Sequence, residues 1–140
     1  MRTRARATKE EESLKRAMLA HRRATKRMYA EYERLGVDTK RNPVLMSSID
    51  QQRVLTFTYN GQPRVVEPQA YGLSVAGKQV LRAFQRSGGS NSNSQEARKL
   101  FEVAKIQKLR KTSEKFPGAR PGHNPNDSAM VEVFAALPTL

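Results

Sequence analysis

Between Leu55 and Pro68 the chain reads LTFTYNGQPRVVEP, and its apolar and polar positions alternate. Leu55, Phe57 and Tyr59 fall on one side of an extended segment, with Thr56 and Thr58 on the other. This period of two marks a half-buried strand. Asn60-Gly61 offers two residues that tolerate positive φ, so the spacing predicts a tight hairpin turn. Arg64, Val65, Val66 and Glu67 form the return strand, and Pro68, which has no N–H to give a ladder, is expected to end it. A second hairpin follows, with Ala70–Val75 and Lys78–Gln85 flanking Ala76-Gly77. Its core candidates are Leu73, Val75, Val80, Ala83 and Phe84.

Ahead of the hairpins the period changes. Leu14, Met18, His21, Thr25, Met28, Tyr32 and Leu35 recur at spacings of four and three. Thr8 and Glu11 make a capping box, and Glu10 to Glu12 complement a helix N-terminus. Gly36 suits the left-handed residue that follows a helix. A long helix is therefore predicted over residues 8–35, behind a basic arm at residues 1–7. Its heptad seam is weakened by His21 and Thr25, which leaves two readings open. One is a self-associating helix, giving a homo-oligomer through residues 8–36. The other is a helix that docks on the barrel of its own or a neighbouring chain.

Residues 37–43 read as a linker. Asn42-Pro43 then supplies an N-cap and first helical residue for a short helix reaching about Gln52, with Leu45, Met46 and Ile49 facing inward. Downstream of the second hairpin, Ser87 to Ser94 (SGGSNSNS) is predicted to be a loop. Lys99 to Lys111 suits a helix or a bent strand, and the strand is preferred as the closing element of a sheet. The stretch FPGARPGHNPND at 116–127 is irregular, and Met130, Val131, Phe134 and Leu137 predict a last short helix near residues 127–137. The expected architecture is α+β and mainly β: a small five-stranded SH3/Sm-like barrel over residues 44–140. A short helix leads into it, a long helix precedes it and a short helix follows it.

Charge sharpens this picture. The 140 residues carry a formal net charge of +13 at a pI near 10.6, which points to a polyanionic partner. Cysteine is absent, so disulfides, thiolate metal sites and a cysteine nucleophile are excluded. His21 and His123 stand too far apart to read as a zinc-type pair, and no metal or other cofactor is expected. No apolar run reaches the roughly 20 residues that cross a bilayer. The basic N-terminus leads into acidic residues rather than an apolar stretch, so it does not read as a secretory signal. A cytoplasmic protein without a membrane partner is expected.

Tyr59, the run Arg64-Val65-Val66-Glu67-Pro68, Gln79-Val80-Leu81, and Lys99-Leu100-Phe101-Glu102-Val103-Ala104-Lys105-Ile106 together resemble a WYL domain over residues 44–137. The eponymous Trp-Tyr-Leu is here Gln79-Val80-Leu81, and lysines 99 and 105 stand where arginines are usual. Arg120-Pro121-Gly122-His123-Asn124-Pro125 is similar to the tail of small stand-alone members. The resemblance implies a ligand-sensing module whose basic pocket takes nucleic acid or a nucleotide-like molecule, in transcription regulation or a defence-type system. One long helix cannot form the two-helix unit that reads duplex DNA directly.

A phosphate pocket needs several cations on rigid strands, with donors converging on one point. Arg64, Arg82 and Lys105 are the candidates, with Lys99 and Tyr59 beside them. Arg16, Arg22, Arg23, Lys26 and Arg27 form a basic patch on the predicted helix. The expected partner is single-stranded DNA or RNA, or a nucleotide-like ligand. No paired carboxylates, phosphate loop or nucleophile constellation is present, so an enzyme is not expected. The competing reading is a non-enzymatic adaptor whose basic helix mediates oligomerisation or partner binding.

Overall fold

The Asn60-Gly61 turn forms as its residues dictate, with φ of 53° at Asn60 and 76° at Gly61. It joins β1 (Arg53–Tyr59) to β2 (Gln62–Leu73), and the register runs from Leu55 opposite Val66 to Tyr59 opposite Gln62. The structure, a computed structural model, describes residue 9, residues 26–88 and residues 97–139. Pro68 does not end the return strand. The pairing of β2 with β3 (Gln79–Gly88) shifts register between Pro68 and Ala70, so Gln69 is the extra residue of a bulge and the strand continues to Leu73. A bulge is where a strand tolerates proline.

The turn between β2 and β3 closes through Ser74 N–H donating to Lys78 O at 2.8 Å, with Gly77 at φ 79°. Ser87 and Gly88, expected in a loop, continue β3, and residues 89–94 of that expected loop lie outside the described residues. The expected bent strand is two strands: β4 (Arg98–Glu102) and β5 (Gln107–Lys115), joined by a 3₁₀ turn at Val103–Lys105. The last strand is β6 (Glu132–Ala136).

Two expectations about architecture are corrected. The sheet is not a closed five-stranded barrel but an open antiparallel sheet of six strands in the order β4-β3-β2-β1-β5, with β6 on β2. Each end strand pairs on one side only, β4 with β3 and β5 with β1, and no ladder joins β4 to β5 among the described residues. The final helix expected near 127–137 is instead β6. The spacing of Met130, Val131, Phe134 and Leu137 fits a helix, but β1 leaves the far half of one β2 edge unpaired. Ala70–Leu73 take β6 there.

The predicted long helix is corrected as well. Its described part is the nine-residue α1 (Lys26–Arg34), followed by Gly36 at φ 85°. The rest of the expected helix, with Arg16, Arg22 and Arg23, lies outside the described residues, as does most of the proposed oligomerisation seam. Lys26 and Arg27 belong to the first turn of α1. The second helix is as expected: α2 (Pro43–Asp50) starts on Asn42, whose side chain accepts from the N–H groups of Val44 and Leu45.

Leu55, Phe57, Val66, Leu81, Ala83 and Phe101 share one face of the sheet, and Tyr32 of α1 with Leu45 and Ile49 of α2 packs against it. Full burial of each large apolar side chain contributes roughly 1.5–3 kcal/mol. The linker is tied down by Tyr71, whose hydroxyl accepts from Asn42 N–H at 2.9 Å and donates to Gln79 Oε1. Gln79 Nε2 in turn donates to the carbonyls of Asp38 and Lys40 at 2.9 and 2.8 Å. Burial raises the Tyr71 phenol above its ordinary value, against the opposing pull of the Asn42 N–H. Val75, an expected core residue, is exposed at the hairpin tip, and Phe84 is half-buried on the opposite face.

Candidate nucleic-acid interface

Hairpin register decides which cations meet. Arg64 on β2 stands opposite Phe57 on β1, on the core face, and is only 7% exposed. Its Nη1–H donates to Gln85 Oε1 at 3.0 Å and its Nη2–H to the Tyr59 carbonyl at 3.2 Å. The guanidinium lies 5.7 Å from the Tyr59 ring centre and 5.8 Å from that of Phe101. Those two rings meet edge-on at 4.9 Å, and Phe57 meets Phe101 at 5.0 Å. The Tyr59 hydroxyl accepts from Glu102 N–H at 3.0 Å. Arg64 is therefore a buried cation in an aromatic box, a setting that stabilises a desolvated guanidinium. Among the described residues no carboxylate pairs with it, and its Nε finds no acceptor.

Lys99 on β4 stands opposite Ala83, two positions before Phe101, so it shares this face and is half-buried. Tyr59, Arg64 and Lys99 are thus brought to one side of the sheet. Arg82 is not. Its position opposite Leu100 and Ala70 places it on the other face, where Nε–H and Nη2–H donate to the two oxygens of Asp127 at 2.8 and 3.2 Å. Burial works to raise the Asp127 carboxyl, but the bonds from Arg82 and Ala129 N–H and the charges of Arg82 and His123 outweigh it and hold the group below its ordinary value. Lys105 sits exposed in the 3₁₀ turn, 3.8 Å from Glu102, which Lys78 approaches at 3.6 Å.

The five strand and turn candidates therefore do not converge on one pocket. Sequence reasoning missed Phe101 and Gln85 as partners of Arg64, because both contacts depend on register across strands. It also missed a cationic strip on β5. Lys108, Arg110, Lys111 and Lys115 are all exposed, and among the described residues none is ion-paired. Lys111 Nζ donates to Ser47 Oγ and Gln51 Oε1 at 3.2 Å, which steadies it against α2. The signal was in the sequence: residues 105–115 hold five cations and Glu114 as the lone acid. Glu114 is itself engaged by Arg86 at 2.6 Å.

Among the described residues no helix is long and apolar enough to cross a membrane. Comparisons with protein-family models, curated proteins and solved structures gave no match.

Proposed function

We propose that this chain is a nucleic-acid-binding regulatory module that takes single-stranded DNA or RNA along β5 and the adjoining 3₁₀ turn. The observation that carries this reading is the row of exposed cations on β5, which among the described residues have no carboxylate partner and lie on an edge strand with one side unpaired. Four such groups on a rigid element can neutralise successive phosphates and release their counterions. Lys105, on the turn that feeds β5, extends the row. A flexible single strand can follow a sheet edge. A duplex reader of the helix-turn-helix kind needs paired helices, and α1 and α2 are separated by the linker. The resemblance of residues 44–137 to WYL domains supports the same reading, with transcription or a defence-type system as the setting and the cytoplasm as the place.

The test is fluorescence anisotropy of labelled single-stranded DNA, single-stranded RNA and duplex DNA at two salt concentrations. The double variant Lys108→Glu/Arg110→Glu should bind single strands at least about tenfold more weakly. Its salt slope should be shallower by roughly 0.7 for each phosphate that is no longer neutralised. Unchanged affinity in that variant, with weakened binding in Arg16→Glu/Arg22→Glu/Arg23→Glu, would move the interface to the N-terminal residues and sink the β5 reading.

A further inference from the structure

Between α2 and the last strand lies a groove of about 760 Å³. Pro43, Met46, Ser47 and Asp50 wall one side of it, at the spacing of a single helix face. Residues 135–138 wall the other. Successive side chains of a strand point to opposite faces, so a sheet face would contribute only every second residue. Four consecutive ones mean that the groove runs along the edge of β6.

That edge is open. Among the described residues β6 pairs with β2 and with no other strand. Leu137 N–H donates to the Gln69 carbonyl at 2.9 Å, so Leu137 turns its N–H toward β2. Its neighbour Ala136, opposite Ala70, then turns its own N–H and C=O away from β2 and toward the groove. Pro138, two residues on, has no N–H and keeps a ladder from running further. The other free edges carry charge, which protects them from added strands: β4 reads RKLFE and β5 reads QKLRKTSEK. After Glu132, β6 reads VFAA and carries none. Asp50 ends α2 on the groove rim, exposed and ion-paired with no described residue. A carboxylate in the last helical turn faces the negative end of the helix dipole, so α2 itself gains nothing from it.

We propose that this groove takes an extended peptide segment of another protein as an added strand. Its backbone exchanges hydrogen bonds with Ala136, small or medium apolar side chains lie against Met46, Ile49 and Leu137, and a basic residue reaches Asp50. The volume falls within the range of ligand sites, roughly 300–1,000 Å³. The edge selects the occupant: a backbone in the β conformation presents an N–H and a C=O to Ala136 together, whereas a helix has its own bonded internally. Peptide binding here needs none of the exposed β5 cations.

Titration calorimetry of the full chain with an acetylated, amidated heptapeptide tests this. The probe alternates valine and threonine between two terminal lysines, so that either chain direction brings one lysine to Asp50. It should bind, and two N-methylated versions should behave differently. Alternate amides of a strand point to opposite edges, so methylating the valine amides and methylating the threonine amides block opposite edges of the peptide. One set should weaken binding about tenfold or more, and the other should leave it within about twofold. Asp50→Asn should weaken the lysine peptide about threefold, with an unchanged melting curve, and should not affect a version with norleucine ends. Hydrogen exchange at the Ala136 amide should slow on binding, while that of Leu137, already bonded to Gln69, should not change. Lys108→Glu/Arg110→Glu should leave peptide binding intact, whatever it does to single strands of nucleic acid. No binding at millimolar concentration would overturn the proposal. Equal effects of the two methylated sets, or binding lost in the β5 variant, would overturn it too.

Discussion

Arg120 grips Glu67 from 53 positions away, its Nε–H and Nη2–H each donating at 2.8 Å to a different carboxylate oxygen. Glu67 is 2% exposed, and Arg86 reaches it from a second side at 3.5 Å. The Arg120 guanidinium also lies 4.2 Å from the Phe84 ring centre. Bonds to Glu67 hold Arg120 above its ordinary value, against the opposing effect of its own desolvation. The tail between β5 and β6 is therefore clasped to β2 by a charge pair half of which is buried in the sheet.

Glu67→Gln should cost about 2 kcal/mol in urea unfolding. Removing one partner of a fully buried pair costs about 3–5 kcal/mol, and the partial exposure of Arg120 reduces that. Arg120→Ala should be similar or worse, since it strands the carboxylate. A loss below about 0.5 kcal/mol for both would mean that the clasp is marginal.

Asp127 gives stability a pH dependence of known sign. Its carboxyl is held below its ordinary value of 3.8, so the contribution is present above that pH and is lost as pH falls through the folded value. Asp127→Asn should lower the melting temperature at pH 7. The gap from the parent chain should shrink as the pH is taken below about 4. A constant gap across that range would show that the effect is steric rather than ionic.

Gly72 is set by close approach. A Cβ there would collide with the Glu132 carbonyl oxygen and press on the Val133 Cα, where β6 lies against β2. Gly72→Ala should displace β6 and cost roughly 2–4 kcal/mol by thermal or chemical denaturation. Hydrogen exchange at Gly72, Leu73 and Val133 should rise before that of β1.

Arg64→Met should leave the melting temperature unchanged or raised, because it removes a buried charge that has no carboxylate and keeps the length of the side chain. Arg64→Ala should instead cost about 1–3 kcal/mol through the gap left beside Tyr59 and Phe101. With 7% of the residue exposed, Arg64→Met should weaken single-strand binding less than Lys108→Glu/Arg110→Glu does. Anisotropy with both variants checks the order.

Local chemistry made much of the fold legible. Asn60-Gly61, Ala76-Gly77 and Asn42-Pro43 each specify a turn or cap through residues a few positions apart, and all three form where expected. Pairings between distant segments could not be read. Phe134 and Leu137 suit a helix or a strand equally, and the choice was made by an unpaired stretch of β2 about sixty residues earlier. The candidate site failed for the same reason. Arg82 read as a phosphate-site candidate because Asp127, 45 positions on, gave no sign of pairing with it. Lys105–Lys115 was readable as a basic run, but its place on a sheet edge was not.

The edge of β2 that accepts β6 has a consequence for synthesis. Ala70–Leu73 emerge from the ribosome well before Glu132–Ala136, so the growing chain carries an incomplete sheet until β6 emerges. For most of that interval Glu67 and Arg82 lack their tail partners, Arg120 and Asp127, which emerge only shortly ahead of β6. Pausing or premature termination before residue 132 should yield a product prone to capture by chaperones or to strand exchange with another copy.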